Sequence, residues 1–259
     1  MDPVVCLLAT HWTPTFENCR RSLNVNNFNY SLIGWGESWQ NWMWRVQLYV
    51  NFLKIQDPNQ IVIFLDAFDA IATRQNEEFL NNFLAFSKPV VVGSEWFCGS
   101  NKNCGIVKKW WKKNDKRPAF RSRINAGCVI GYANKLLEIY SWILNQSFDD
   151  DQKALASWIN EYGTDCVAID TGSILIYNVN VFDGFQQNDT AFFHHFPGPL
   201  LKHGLFPQYN TTVRRKLKFY ARYSYPKEYI YNIFYLLAFM MFFVMLRQQT
   251  SKTFGSWRH

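Results

Sequence analysis

The stretch Gln60-Ile-Val-Ile-Phe-Leu-Asp66-Ala-Phe-Asp69-Ala-Ile71 joins a predicted central strand to two acids, and the rest of the chain is interpreted from it. Residues 60–65 are apolar and β-branched enough to predict a strand that is buried on both faces. One carboxylate ends this strand, and a second follows three positions later. Because side chains alternate between the faces of a strand, the two acids converge only if the chain leaves the strand at Asp66 and turns through Ala67 and Phe68.

Two converging carboxylates at the end of a strand repel each other, and a cation between them would offset that repulsion. Hard oxygen ligands favour Mg²⁺ or Mn²⁺. The alternative is that one Asp caps the next helix while the other is solvated. These residues alone leave both interpretations open.

Strand and helix patterns alternate along the chain, which predicts the α/β class with a mixed, mostly parallel sheet flanked by helices. Ligands of such sheets bind beyond the carboxyl ends of the strands, so the two acids, Glu95 and the region of Asn125 should surround one crevice. The predicted strands are 3–10, 28–34, 60–65, 89–93, 124–131, 167–169 and 173–177, the helices are 13–23, 42–53, 76–86, 134–144 and 147–159, and the loops include 108–123 and 192–199.

The positive charge of the chain is concentrated in its last part. Residues 201–259 hold ten Lys and Arg against one acid, whereas residues 1–200 hold 17 against 19. A nearly neutral body with a basic tail argues against a nucleic-acid enzyme with a broad basic face. The six cysteines include no CxxC pair, which argues against a zinc site. Cys98 and Cys104 either close a short loop or remain reduced.

Residues 229–246 carry no charge, and as a helix they would extend roughly 27 Å, close to the thickness of a bilayer core. We therefore predict a domain at 1–212, a basic juxtamembrane segment at 213–228, a hydrophobic transmembrane helix at 229–246 and a short basic tail at 247–259. A helix buried against the domain, or one lying at a membrane interface, is the alternative. Six Lys and Arg precede the span and three follow it, and no signal peptide is recognisable, so the domain is expected on the cytosolic side of a membrane.

Three polar clusters share the α/β body: Asp66 with Asp69, residues 149–151 and residues 194–199. Their order and spacing resemble the glycosyltransferase domain of procollagen lysyl hydroxylases, a GT-A fold related to collagen galactosyltransferases. The resemblance runs from about Leu7 to Leu205. It is carried by an ordered set of short motifs, none of them specific alone: Leu8-Ala-Thr10, Gly36-Glu37-Ser-Trp39, Phe64-Leu-Asp66-Ala-Phe-Asp69, Ser94-Glu95, Ile124-Asn125-Ala-Gly127 with Ile130-Gly131, Asp150-Asp151-Gln152, Ile169-Asp170, and His195 with Gly198-Pro199.

The resemblance implies a set of metal ligands. Asp66, Asp69 and His195 would bind a divalent metal ion that grips the diphosphate of a UDP-sugar. A nitrogen ligand among carboxylates suits Mn²⁺ better than Mg²⁺. The spacing to Gly198-Pro199 selects His195 rather than His194, although a histidine between phenylalanines is also common in a protein core.

The resemblance also implies nucleotide and catalytic contacts. Thr10 and Trp39 would contact the nucleotide, and Gly198 would let the backbone approach the phosphates. Asp150 and Asp151 would lie beside the sugar or the acceptor, as a base or as stabilisers of positive charge at the anomeric carbon. The alternative is that Ser147 or Asp149 caps a helix whose dipole Asp150 and Asp151 complement.

The chain departs from the family pattern at two cationic positions. Arg45, which by the resemblance would contact the sugar nucleotide, stands where the family often has a lysine. The lysine expected after Gly-Pro is displaced to Lys202, which puts its phosphate contact in doubt. These 259 residues leave no room for a hydroxylase domain, so hydroxylation is not expected of them.

The resemblance implies a metal-dependent hexosyltransferase that moves glucose or galactose from a UDP-sugar to a protein or glycan hydroxyl. One alternative is an enzyme of metal-dependent phosphoryl or nucleotidyl transfer, although the Asp66–Asp69 spacing does not match the DxD pattern of aspartyl phosphatases. Another is an inactive, membrane-anchored module that binds sugar nucleotides. A stand-alone transferase without a signal peptide would suit a virus or microbe that glycosylates outside the secretory pathway.

Overall fold

The computed structural model describes residues 2–95, 105–114, 123–179 and 190–197. These residues form nine strands, six α-helices and one short 3-10 helix. The strands are β1 (Val4–Leu8), β2 (Asn29–Ile33), β3 (Ile61–Asp66), β4 (Ala70–Ala72), β5 (Val90–Glu95), β6 (Arg123–Tyr132), β7 (Val167–Asp170), β8 (Ile176–Asn178) and β9 (Phe193–His195). The helices are α1 (Pro14–Val25), α2 (Trp42–Leu53), α3 (Phe79–Leu84), α4 (Lys108–Lys113), α5 (Ala133–Leu144) and α6 (Asp151–Glu161), and the 3-10 helix is Asn76–Glu78.

Six strands form the main sheet in the order β2-β1-β3-β6-β5-β7. All neighbouring strands are parallel except that β6 runs antiparallel to β3 and β5. The predicted mixed, mostly parallel sheet flanked by helices is therefore confirmed. Because β6 is reversed, its first residues lie at the edge where β3 and β5 end, and this edge holds the polar side chains described below.

Strand β3 is buried on both faces, as its sequence predicts. Phe64 stacks on Tyr49 of α2 with ring centroids 3.9 Å apart and meets Tyr140 of α5 edge-on. Ile63, which points the other way, packs into a second core with residues of α1 and α3. The sheet thus separates two apolar layers, which explains why almost every residue of β3 must be apolar.

A second, three-stranded sheet has the order β4-β9-β8, with β9 antiparallel to β4 and parallel to β8. The predicted loop 192–199 was wrong here, because residues 193–195 form β9. Strand β4 was not predicted either. Strands of three residues are too short to show a recognisable alternation, so long-range pairing and not local pattern defines them.

The predicted loop 108–123 is also wrong in its first part, which is helix α4. Trp110 supplies the reason, because its ring is buried and its Nε1 donates a hydrogen bond to the carbonyl oxygen of Val167, 2.7 Å away. The four lysines of the helix are exposed. Besides this indole, the backbone nitrogen of Lys109 donates to Asn160 Oδ1 at 3.0 Å and holds the helix against α6.

Several predictions fall outside the described residues. They concern the domain boundary at 212, the segments 213–228, 229–246 and 247–259, and the pairing of Cys98 with Cys104. No helix of the described residues is long and apolar enough to cross a membrane.

The loop between β7 and β8 is organised by the buried side chain of Asp170. Its Oδ1 accepts a hydrogen bond from the backbone nitrogen of Ile174, and its Oδ2 accepts from those of Leu175 and Ile176, at 2.7 to 2.9 Å. A carboxylate that satisfies three backbone donors fixes the direction in which β8 starts.

Replacing Asp170 with Ala should lower the free energy of unfolding by about 3 kcal/mol, because three backbone donors lose their acceptor inside the protein. Urea denaturation followed by tryptophan fluorescence measures this change. Asp165→Ala is the matched control, since its exposed carboxylate pairs only with Lys113 at the surface, and it should leave the midpoint nearly unchanged. Equal midpoints for Asp170→Ala and the native protein would contradict this account of the loop.

Candidate active site

A tight turn brings the two acids of the opening stretch together. Strand β3 ends at Asp66, residues 67–69 turn, and β4 begins at Ala70. His195 lies opposite Ala70 in the ladder between β4 and β9. Its Nε2 is 3.5 Å from Asp66 Oδ2 and 3.8 Å from Asp69 Oδ1. The structure therefore places the three predicted metal ligands in one cluster, with one ligand atom from each within 4.8 Å of the others.

Gly127 leaves the space that this cluster occupies. A Cβ atom at this position would lie 2.4 Å from Cε1 and 2.5 Å from Nε2 of His195, and 2.8 Å from Asp66 Oδ2. A glycine within a strand allows another group to approach closely, and the group that approaches Gly127 is the imidazole of His195. The three side chains are crowded together only because residue 127 has none.

The electrostatics of the cluster favour positive charge. Burial alone would lower the pKa of His195, but its interaction with Asp66 and the negative charge of Asp69 raise that pKa above its usual value. Two carboxylates and one imidazole are a donor set that suits Mn²⁺. Chemistry and spacing of these residues therefore fit a divalent metal ion.

Arg45 joins the cluster to a third acid. Its Nη1 donates to Asp66 Oδ1 at 2.7 Å, and its Nη2 donates to Asp151 Oδ2. The guanidinium is buried, and it lies 5.0 Å from the centre of the Trp42 ring. Burial alone would lower the pKa of Arg45, but Asp151 and Asp66 hold it well above its ordinary value. Arg45 is therefore a permanent cation shared by two carboxylates.

The three successive aspartates 149–151 have three different environments. Asp149 is exposed and pairs with Lys153, whereas Asp150 caps α6 by accepting the backbone N–H of Lys153 at 2.8 Å. The alternative that Ser147 or Asp149 caps this helix is thus wrong, and the helix begins at Asp151 instead of Ser147. Asp151 is buried against Arg45. Both Asp150 and Asp151 line the same cleft as Asp66, Asp69 and His195.

A second buried carboxylate stands near the cluster. Glu95 accepts hydrogen bonds from Asn125 Nδ2 at 2.8 Å and from Gln152 Nε2 at 2.9 Å. Burial raises its pKa, although both hydrogen bonds oppose that shift. The amide oxygen of Gln152 in turn accepts from the backbone nitrogen of Ala126. This network fixes the start of β6 and the start of α6 against the end of β5.

These groups surround one open cleft of about 190 Å³. The predicted residues that line it are Arg45, Asp66, Asp69, Asn125, Asp150, Asp151 and His195. Glu95 was expected to border the same crevice and does not line it, because its side chain is buried behind Asn125 and Gln152, which bind it. Trp42 and Pro197 also line the cleft, and neither was predicted to have a role in the site. Among the described residues, Thr10 and Trp39 do not line it. Thr10 follows β1, and its Oγ1 is hydrogen-bonded to Nδ1 of His11. The exposed ring of Trp39 packs edge-on against the ring of Trp42. Their nucleotide contacts stay predictions, and Gly198 and Lys202 lie outside the described residues.

Comparison with known proteins assigns the class. The sequence profile of the PLOD GT domain matches residues 2–182, and the chain belongs to this family of glycosyltransferase domains. No curated protein matches the chain.

Two solved structures have a similar arrangement of the chain. One is a glycosyltransferase involved in the glycosylation of the major capsid of PBCV-1, with 17% identity and a TM-score of 0.45, covering 76% of this chain and 95% of that chain. The other is A197 from STIV, with 13% identity and a TM-score of 0.42, covering 65% of this chain and 81% of that chain. The family assignment rests on the sequence match and not on these two structures.

Substituting Gly127 with Ala should weaken Mn²⁺ binding by more than about tenfold, because the added methyl group displaces His195 and Asp66. Isothermal titration of the metal-free protein with Mn²⁺ measures the affinity. The control is Gly131→Ala on the same strand, whose Cβ would meet the carbonyl oxygen of Pro89 at 2.9 Å, away from the cluster. That variant should lose stability and keep its affinity, and an equal loss of affinity in both would contradict a local effect.

Proposed function

We propose that this glycosyltransferase domain is a metal-dependent hexosyltransferase that uses a UDP-sugar, with glucose or galactose as the sugar and a protein or glycan hydroxyl as the acceptor. The observation that carries the proposal is the cluster of Asp66, Asp69 and His195 at the carboxyl edge of the sheet. An anionic diphosphate would be repelled by so many carboxylates unless a cation lay between them. The family match supplies the glycosyl-transfer chemistry.

Asp66, Asp69 and His195 would hold the ion, which as Mn²⁺ or Mg²⁺ would neutralise the charge that develops on the UDP leaving group. Oδ2 of Asp66 faces the cluster, whereas its Oδ1 is taken by Arg45. Oδ2 of Asp66 would therefore bind the metal ion, while Oδ1 accepts the hydrogen bond from Arg45. Arg45 was predicted to contact the sugar nucleotide, and its two ion pairs support a role in orienting the acids around that ligand.

Asp150 and Asp151, at the start of α6, would act on the sugar or the acceptor. Asp150 holds a helix N-terminus and so has a fixed position, and Asp151 is held by Arg45. Carboxylates at fixed positions can stabilise positive charge at an anomeric carbon or accept the proton of an attacking hydroxyl. The proposal assigns these two roles to Asp150 and Asp151 together.

Asp69→Ala should reduce Mn²⁺-dependent turnover of UDP-glucose or UDP-galactose by at least about a hundredfold, because it removes one of three protein ligands. Release of UDP, followed by chromatography, measures the turnover. Glu77→Ala is the matched control, since it removes an exposed carboxylate outside the cleft, and it should turn over UDP-sugar at the native rate. Unchanged turnover in a folded Asp69→Ala variant would reject the proposal.

The products separate glycosyl transfer from phosphoryl or nucleotidyl transfer. Cleavage of the bond between the anomeric carbon and oxygen yields UDP, whereas attack at phosphorus yields UMP or a sugar phosphate. Chelation by EDTA should stop the formation of UDP, and added Mn²⁺ should restore it. If Mn²⁺ and UDP raise the melting temperature but no product forms from any UDP-hexose, the domain is a binding module.

We also propose that residues 229–246 attach the domain to a membrane from the cytosolic side. These 18 residues carry no charge, which suits a helix that spans a bilayer core. Six Lys and Arg precede them and three follow, and the more basic flank is expected on the cytosolic side. Extraction of cell membranes at alkaline pH tests it. Recovery of the full chain in the aqueous fraction, in contrast to the membrane pellet, would contradict it.

A further inference from the structure

We propose that Asn178 is a positioning residue that fixes the tautomer and the orientation of the metal ligand His195. This inference rests on the proposed metal-dependent function, because it concerns how the chain presents an imidazole nitrogen to a metal ion. Asn178 is the last residue of β8 and belongs to none of the sequence motifs described above. It is 2% exposed, and His195 is 3% exposed.

The carbonyl oxygen of Ser94 sets the orientation of the Asn178 amide. Asn178 Nδ2 lies 3.0 Å from this oxygen. A backbone carbonyl can only accept a hydrogen bond, so the group that faces it must be the amide nitrogen and not the amide oxygen. The orientation of the side chain therefore follows from one backbone atom of β5.

The amide then sets the protonation of the imidazole. Asn178 Oδ1 lies 2.9 Å from His195 Nδ1. Because an amide oxygen can only accept, Nδ1 must carry the proton, and in the neutral ring the lone pair is left on Nε2. Nε2 is the nitrogen that faces Asp66 and Asp69. The chain of contacts from Ser94 to Asn178 to His195 thus selects the tautomer that can bind a metal ion between these acids.

The surrounding backbone leaves Asn178 little freedom. Asn178 and His195 are partners in the ladder between β8 and β9. A Cβ atom on Gly93 would lie 2.7 Å from Asn178 Nδ2 and 2.6 Å from Ile176 Cγ2, so the amide fits only because residue 93 is glycine. Ser94 is itself fully buried, and its Oγ donates to the carbonyl oxygen of Asp170 at 3.0 Å. The position of the amide is therefore determined by three separate strands.

The first test is the affinity for Mn²⁺, measured by isothermal titration of the full chain after removal of metal with EDTA. Asn178→Leu has a similar size and no acceptor, and it should bind Mn²⁺ about 10- to 100-fold more weakly, the usual effect of losing the hydrogen-bond partner of a metal-binding histidine. Asn178→Asp keeps an acceptor for the Nδ1 proton but has no donor for the Ser94 carbonyl oxygen, so it should recover part of that loss. If the Asp variant binds Mn²⁺ more tightly than the Leu variant, the hydrogen bond to Nδ1 matters and not only the packing of residue 178.

Asn26→Leu is the matched control. Asn26 is also a buried asparagine, and its Nδ2 donates to the carbonyl oxygens of Ser22 and Ala72, away from the cleft. This variant should lose stability and keep its Mn²⁺ affinity. Equal affinities for the native protein and a folded Asn178→Leu variant would overturn the inference.

The second test measures the native chain and uses the variant His195→Gln only to assign a signal. It therefore does not depend on how any Asn178 variant folds. The ¹⁵N shifts of labelled histidines in the metal-free protein, at a pH where the ring is neutral, report which nitrogen of His195 is protonated. His195→Gln identifies the signal. The inference requires the Nδ1–H tautomer, and the Nε2–H tautomer would overturn it. A native chain that does not bind Mn²⁺ would reject the proposed function, whereas the tautomer would still test the contact with Asn178.

Discussion

The convergence of negative charge at one edge of the sheet is the constraint on which the site depends. Asp66, Asp69 and Asp151 line one small cleft, and Glu95 accepts hydrogen bonds from Asn125 and Gln152, which line it too. Asp151 and Glu95 are almost completely buried. Bringing carboxylates out of water and close together costs free energy unless cations or hydrogen bonds compensate. Arg45 compensates one pair, and two amide groups compensate Glu95. Asp66 and Asp69 face the imidazole of His195 in a geometry that suits a divalent cation.

The fold meets this constraint by reversing one strand. Because β6 is antiparallel to both of its neighbours, its first residues lie beside the last residues of β3 and β5, and Gly127 comes to lie against the imidazole. The small sheet delivers His195 from the other side through its ladder with β4. Asp66 and Asp69, at the end of β3, thus meet the imidazole of a histidine that lies more than a hundred residues further along the chain. Both sides of the cluster are attached to sheets, whose geometry allows little movement.

Much of the site was predictable because its acids are neighbours in sequence. Asp66 and Asp69 follow an apolar strand directly, and a strand buried on both faces can end in a carboxylate only at a sheet edge. The turn through Ala67 and Phe68 was predicted and is observed. Asn178 was not predictable in the same way, since an isolated asparagine at the end of a three-residue strand has no local signature. The partners of Arg45 were likewise hidden, because one of them lies 106 positions further along the chain.

Local sequence pattern was enough to predict the class of the sheet, the burial of β3 and the two acids that follow it. These features depend on local pattern, which is set by the alternation of side chains and by the need to keep apolar residues out of water. Three contacts are set by the folded chain: Nε2 of His195 faces the acids, Asp150 caps α6, and Asp66 and Asp151 share Arg45. Such choices follow from distances between strands that are remote in the chain, and side-chain pattern along a single strand contains no information about them.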